Sequence, residues 1–192
     1  MSDFKTDIAE LLALSASKNT SKDLKNFNAS YIESPLGSIV AIGDHSHLYY
    51  LDFVDSKKIL NKLLIFKNIT NAIIKFKSNT ILENISRELD LYFINKLNKF
   101  STPVKLVGSD FQRSVWAQLL QIPYGHTSSY GQIAKNLQHD QAFRAVANAN
   151  AANKLAIIVP CHRVINSNNQ LGGYAGGLER KRRLLSLERT NN

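Results

Sequence analysis

The spacing of hydrophobic and polar positions changes several times along this chain. Asp7-Ile8-Ala9-Glu10-Leu11-Leu12-Ala13-Leu14 has the spacing of a short amphipathic helix, whereas Ser15 to Asn28 is polar and rich in Ser, Lys and Asn, a composition that buries little surface and orders weakly. Residues 1–28 are therefore expected to be an N-terminal extension, weakly ordered or a short helix. From Tyr31 the pattern becomes one of short alternating stretches: Tyr31-Ile32-Glu33-Ser34, the turn Pro35-Leu36-Gly37, Ser38 to Gly43, and His47 to Phe53 after the polar break Asp44-His45-Ser46. These predict antiparallel strands joined by tight turns. Lys57 to Phe66 and Ile81 to Leu97 return to helical spacing, the second with Ile85, Leu89, Tyr92, Phe93 and Leu97 along one face. The result is a small α+β domain over residues 29–100, ended by the breaker Ser101-Thr102-Pro103.

Residues 101–192 read as a second, mainly helical domain. Ser109-Asp110 can cap a helix beginning near Phe111, with Val115, Leu119 and Ile122 on its apolar face and Pro123-Tyr124-Gly125 to stop it. A short helix over Thr127 to Leu137, a polar turn at Gln138-His139-Asp140 and a helix from about Gln141 to Ala152 have the layout of a helix-turn-helix, although such helix pairs are also common in enzymes. The second helix of the pair is thin: Ala142, Ala145, Ala147, Ala149, Ala151 and Ala152 leave Phe143 and Val146 as its bulky apolar residues, with Arg144 near its start. Alanine is the best helix former, but the interleaved Asn148 and Asn150, with Asn153 just beyond, are poor ones. A thin helix can enter a narrow DNA minor groove and send an arginine into the base stack.

Charge divides unevenly between the halves. Residues 1–100 hold 12 Lys and 1 Arg against 11 acidic residues, and residues 101–192 hold 4 Lys and 7 Arg against 4 acidic residues, within a total net charge of +9. Nearly all the arginine, whose planar fork suits phosphates and stacks on bases, lies in the second half, which marks that half as the face for a polyanion. With 44% hydrophobic and 20% charged residues, no run near the ~18 apolar residues of a membrane helix and no export signal at the start, a soluble cytoplasmic protein is expected.

The chain has one cysteine, in Pro160-Cys161-His162-Arg163-Val164 after the apolar run Leu155 to Val159. A lone thiol forms no internal disulfide, and with one adjacent histidine it makes a poor structural zinc site. Two uses remain, a small buried hydrophobe or a nucleophile.

Phe111-Gln112-x-x-Val115-Trp116-x-x-Leu119, Ile122-Pro123-x-Gly125-x-Thr127-x-Ser129-Tyr130, Arg144-Ala145-Val146, Asn153, the Pro160–Val164 motif and Gly172-Gly173-Tyr174-x-Gly176-Gly177 together resemble the O6-alkylguanine-DNA alkyltransferases in their single-cysteine form. The resemblance covers residues 101 to 190 almost continuously. It implies an N-terminal ribonuclease H-like antiparallel-sheet domain and a C-terminal winged helix-turn-helix-like alkyltransferase domain, α+β overall. It also implies DNA repair by one irreversible transfer of an alkyl group from O6-alkylguanine, with O4-methylthymine a further candidate substrate, to Cys161. In that scheme His162 takes the thiol proton through a bridging water, Glu188 orients His162, Tyr130 hydrogen-bonds the purine and crowds its 3′ phosphate, and Asn153 braces the turn before the cysteine. Arg144 fills the space left by the flipped base, Ala145, Ala151 and Ala152 meet DNA, and Asn150, Val164, Tyr174, Ala175 and Gly176 surround the base. Ala175 stands where some relatives have serine, which removes one hydroxyl contact to O6. Arg163 is expected to anchor the pocket by internal hydrogen bonds, and Arg180-Lys181-Arg182-Arg183 to be a solvated or partly phosphate-facing run.

The resemblance implies no metal and no organic cofactor, a double-stranded DNA partner bound through the minor groove, no membrane association and a monomer. Two rivals remain. Alkyltransferase-like proteins flag lesions without a reactive cysteine, which Cys161 argues against. A cysteine hydrolase could also use a Cys/His/Glu set, but it would have no role for Arg144, the helix pair or the basic half.

Overall fold

Strand β1 (Lys25–Ile32) buries Phe27 and Ala29 on one face and Ile32 on the other, and it is an inner strand of a four-stranded sheet. In this computed structural model, which describes residues 4–13 and 24–189, β1 pairs antiparallel with β2 (Ile39–Gly43), and β2 pairs antiparallel with β3 (Leu48–Phe53). The fourth strand, β4 (Ala72–Phe76), lies on the other side of β1 and runs parallel to it, giving the order β3-β2-β1-β4. The expected antiparallel sheet is thus extended by a parallel strand, reached through helix α2 (Ile59–Thr70), since a parallel pairing needs a crossover.

Both faces of the sheet are covered, so β2 is buried at every position. Side chains alternate between faces along a strand. Val40, Ile42 and Tyr50 join Phe27, Leu63 and Phe66 in one core, completed by Ile8 and Leu12 of helix α1 (Phe4–Ala13). Ile39, Ala41, Leu51 and Phe53 face the other way, into a larger core with Ile85 and Leu89 of helix α3 (Thr80–Phe93) and with the second half of the chain.

The short helix expected in the extension is present as α1, but it is packed into the core, and the sheet starts inside the expected extension. Ile8 is 0% and Leu12 2% exposed, and the buried ammonium of Lys67 donates to the carbonyls of Leu11 and Leu12 at 3.0 Å each, closing the C-terminal end of α1 as basic side chains do. The sheet begins at Lys25 rather than after residue 28, because β4 supplies Lys25 and Asn26 with a partner. Residues 14–23, in the polar stretch of that reading, lie outside the described residues.

The second half begins at helix α4 (Asp110–Leu119), held by a capping box in which the Gln112 amide donates to Ser109 Oγ at 3.3 Å and the Ser109 amide to Gln112 Oε1 at 3.1 Å. Strand β5 (Ser128–Ser129) leads into α5 (Tyr130–Asn136), capped by Ser129, and α6 (Phe143–Ala151) follows. A 3₁₀ turn at Cys161–Arg163 leads to β6 (Val164–Ile165), which pairs with β5, and α7 (Leu178–Arg189) ends the described chain.

The outer edge of β3 joins the two halves. The Leu48 amide donates to Pro103 O at 2.8 Å and the Lys105 amide to Leu48 O at 2.8 Å; three residues on, Leu51 exchanges bonds with the segment leading to the cysteine, Leu51 N to Lys154 O and Ala156 N to Leu51 O, both 2.7 Å. The breaker at 101–103 is therefore tied down. Its Ser101 and Thr102 amides also donate to the Glu88 carboxylate.

Candidate active site

The thiol is presented by two tight turns in succession. Ile158 N donates to Ala156 O at 2.8 Å across Ile157, whose φ is 71°, a rare γ-turn conformation that a β-branched residue adopts only under constraint. Cys161 N then donates to Val159 O at 2.7 Å across Pro160. Asn153, directly after α6, supplies the constraint. Its Nδ2 donates to Val159 O at 2.9 Å and to Cys161 Sγ at 3.2 Å, and its Oδ1 accepts from the Leu155 amide at 2.9 Å. Asn150 adds a 3.4 Å bond from Nδ2 to Cys161 O. The bracing expected of Asn153 thus extends to the sulfur itself.

Cys161 is 6% exposed. Burial pushes its thiol above the ordinary value, against the Asn153 hydrogen bond, so at neutral pH the sulfur is protonated and needs a base to act as a nucleophile. His162 is 0% exposed, and its Nε2 lies 2.8 Å from Glu188 Oε1. Burial lowers the imidazole, against the pull of Glu188, and keeps it neutral. A neutral ring that donates from Nε2 holds a free lone pair on Nδ1. Nδ1 is buried with no hydrogen-bond partner, which is the form a proton acceptor takes.

Glu188 is fully buried and collects donors from three other elements. Tyr92 Oη donates at 2.7 Å, Arg163 donates through Nε at 2.8 Å and Nη2 at 3.0 Å, and the Gly125 amide lies at 3.4 Å. Burial alone would raise the carboxyl; the bond from His162 and the Arg163 guanidinium outweigh it and hold it at about 2. Arg163 also donates to Ile122 O at 2.7 Å, which gives it the internal anchoring role expected.

These shifts contribute to the acid stability, together with the hydrogen-bonded carboxyls of Asp44 and Glu88, which are also lowered. Glu188 falls from an ordinary 4.5 to about 2 and His162 below 6.5. Between its folded and unfolded values each group binds more protons when the chain is unfolded, so stability rises with pH there. The His162 contribution is lost as pH falls below 6.5, and that of Glu188 as pH falls from about 4.5 towards 2. A melting temperature that declines steadily from pH 7 to pH 4 is expected in a thermal denaturation series; a flat profile would count against the network.

Cys161 opens onto a cleft of about 700 Å³ lined by Tyr130, Arg144, Asn150, Ala151, Ala152, Asn153, Tyr174, Ala175 and Gly176, within the usual range for a small-molecule site. Gly172, at φ 64°, brings the loop 2.9 Å from Asn166 Oδ1 and 3.4 Å from the Tyr130 ring, as measured from where a Cβ would stand, so a side chain there would strain the backbone and push Asn166 aside. Burial and the neighbouring thiol raise the Tyr130 phenol, which keeps it a donor. Burial raises Tyr174 well above its ordinary range, and its hydroxyl has no partner.

Not every expected residue lies here. Val164 is 0% exposed, paired with Ser128 in the core and absent from the cleft wall; its contribution is a carbonyl. Ala145 is exposed but does not line the cleft. The basic run from Arg180 is no uniform surface. Arg180 pairs with Asp55 at 2.9 Å, and Lys181, 0% exposed and lowered by burial to about 8, donates to Val164 O at 2.5 Å, to Leu171 O, and to Gly173 O at 3.4 Å, fastening the pocket loop to α7. Only Arg182 and Arg183 of the four are exposed. Sequence reasoning missed Tyr92 and Lys181. The signal for Tyr92 was a phenol on an otherwise apolar face, which requires a buried partner.

Residues 110–190 match the family described as 6-O-methylguanine DNA methyltransferase, DNA binding domain, and residues 28–106 match 6-O-methylguanine DNA methyltransferase, ribonuclease-like domain. A methylated-DNA–protein-cysteine methyltransferase of Methanosarcina acetivorans is 42% identical over 156 residues, 81% of this chain and 94% of that protein. One of Mycobacterium leprae is 41% identical over 158 residues, 82% and 90%. The crystal structure of Mycobacterium tuberculosis OGT in complex with DNA superposes with a TM-score of 0.72 at 37% identity, covering 86% of this chain and 94% of that one.

Proposed function

The chain belongs to the 6-O-methylguanine DNA methyltransferase family, and from that premise we propose that Cys161 takes the alkyl group from the O6 of a guanine turned out of duplex DNA into the cleft. DNA repair by alkyl transfer to cysteine is the reaction of the family, and Cys161 is the one cysteine of this chain. The observation that carries the residue assignment is the buried relay beneath the cleft: Asn153 on the sulfur, and His162, with a bare Nδ1, on Glu188.

In this scheme α6 enters the minor groove, where its alanines allow close approach and Arg144 occupies the space of the extruded base. The thiol proton passes through a water to His162 Nδ1. The S–C bond forms as the O6–C bond breaks, and hydrogen bonds from Tyr130 at N3 and from the backbone amides near Tyr174 and Ala175 take up the charge left on the purine. The product thioether has no leaving group that water can displace, so each molecule reacts once, as a monomer and without metal or cofactor. A free thiol suits a reducing compartment such as the cytoplasm.

Intact mass after incubation with a duplex containing O6-methylguanine tests the reading. One added methyl group per chain, mapped to Cys161, is expected; folded protein of unchanged mass would overturn it. Arg144→Ala should slow reaction with the duplex by about tenfold or more, since extrusion costs a few kcal/mol and each 1.4 kcal/mol is a factor of ten. Reaction with free O6-benzylguanine, which needs no extrusion, should slow much less. Equal losses on both substrates would remove Arg144 from the flipping step.

A further inference from the structure

The cleft has a second wall that this reaction does not use. Besides α6 and the pocket loop it is lined by Lys57, Lys58, Asn61 and Lys62 at the start of α2, in the ribonuclease-like half of the chain. That wall is fixed relative to the pocket. The Lys57 amide donates to Ala175 O at 2.9 Å, and the Lys62 ammonium donates to Asp52 Oδ2 at 2.7 Å and to Asn153 O at 3.3 Å.

Lys62 is therefore neutralised by its ion pair, but Lys57 and Lys58 are not. Both are exposed, and neither has an acidic partner among the described residues; the adjacent Asp55 is taken by Arg180. Lys58 also holds φ 63° at the N-terminal boundary of α2 with no side-chain cap, a position where asparagine or glycine would be at less cost. Two uncompensated ammonium groups, one on an unfavourable backbone, stand at the mouth of a cleft whose floor is the reacting thiol.

A base that reaches this floor brings its own phosphates to the mouth. We propose that Lys57 and Lys58 bind the backbone phosphates flanking the extruded nucleotide, which makes the ribonuclease-like half part of the DNA-binding surface and completes a basic clamp with Arg144, which lines the same cleft. The proposal rests on the reading of the cleft as the seat of an extruded base.

The test compares the wild type with the double variant Lys57→Gln, Lys58→Asn, the asparagine being chosen because it tolerates the left-handed conformation. The rate of methyl transfer from an O6-methylguanine duplex at limiting protein is measured from low to physiological salt. Each phosphate contact contributes about 0.9 to the log–log salt slope, so the variant should show a slope smaller by about 1 to 2 and a rate at low salt down by about tenfold. Lys57→Arg, Lys58→Arg should keep the wild-type slope. An unchanged slope in the Gln/Asn variant overturns the proposal. So does an equal loss on free O6-benzylguanine, which carries no phosphate and would register a general disturbance of the pocket. Failure of the underlying reading shows differently: the wild type itself would leave its thiol unmodified by both substrates, and the clamp would fall with it.

Discussion

Cys161→Ser is expected to abolish alkyl transfer while leaving the fold intact. A serine hydroxyl is far less acidic than a thiol and far less nucleophilic towards an alkyl carbon, and His162 cannot make up the difference. The exchange is small in volume, and Asn153 Nδ2, 3.2 Å from the sulfur, remains available to the new oxygen, so no buried polar group is orphaned. After prolonged incubation with the O6-methylguanine duplex, intact mass should show no added methyl, and the melting temperature should stay within a few degrees of wild type. The variant should still bind the lesion duplex, because the cleft changes by a single atom at its floor and Tyr130, Arg144 and the pocket loop are untouched. A methyl group found on the variant at any residue other than 161 would mean that Cys161 is not the acceptor.

Glu188→Gln should do the reverse and damage stability and reactivity together. The carboxylate balances the Arg163 guanidinium, and between its two oxygens it accepts from Tyr92, His162, Arg163 and the Gly125 amide. A carboxamide keeps one acceptor oxygen, turns a donor towards donors and leaves the guanidinium buried without a counter-charge. Removing one partner of a buried ion pair typically costs about 3–5 kcal/mol, against a total stability of about 5–15 kcal/mol. At about 2–4 °C per kcal/mol for a chain of this size, the melting temperature should fall by about 6–20 °C. His162 would also lose the acceptor that fixes its tautomer. The rate with free O6-benzylguanine should fall by about 10²–10⁴-fold, the usual worth of a positioned base. Measured well below the lowered melting temperature, the rate separates the two effects: full reactivity in the folded variant would reduce Glu188 to a structural anchor.

The reacting core of the site was legible because it is local in sequence. Cys161, His162 and Arg163 are consecutive and Asn153 is eight residues upstream, so a family resemblance carried by short motifs reaches all four at once. The surrounding parts were less legible, since they depend on partners far along the chain. Tyr92 reaches Glu188 across 96 positions, and periodicity registers it only as one more apolar-face residue. Lys181 looked like part of a solvated run, because four consecutive basic residues hide the one whose helical phase points inward. Val164 was placed in the pocket by its neighbours in the motif, yet pairing with Ser128 turns it into the core. Strands β1 and β4 show the same limit: Lys25-Asn26 is polar in isolation and becomes a strand only when β4 lies alongside.

The sheet and the thiol share one hydrophobic core, in which Ile39, Leu51 and Phe53 pack with Trp116, Val159 and Cys161. The seam near residue 100 therefore divides two kinds of architecture more than it divides the packing energy. Loosening β3 would take away the backbone partner of Ala156 and with it the setting of the turns that hold the sulfur. Amide hydrogens of β3 and of the Leu155–Cys161 segment should thus exchange with solvent in a single opening event. A protease that cuts at residues 101–103 should leave two pieces that remain together, neither able to keep the sulfur poised by itself.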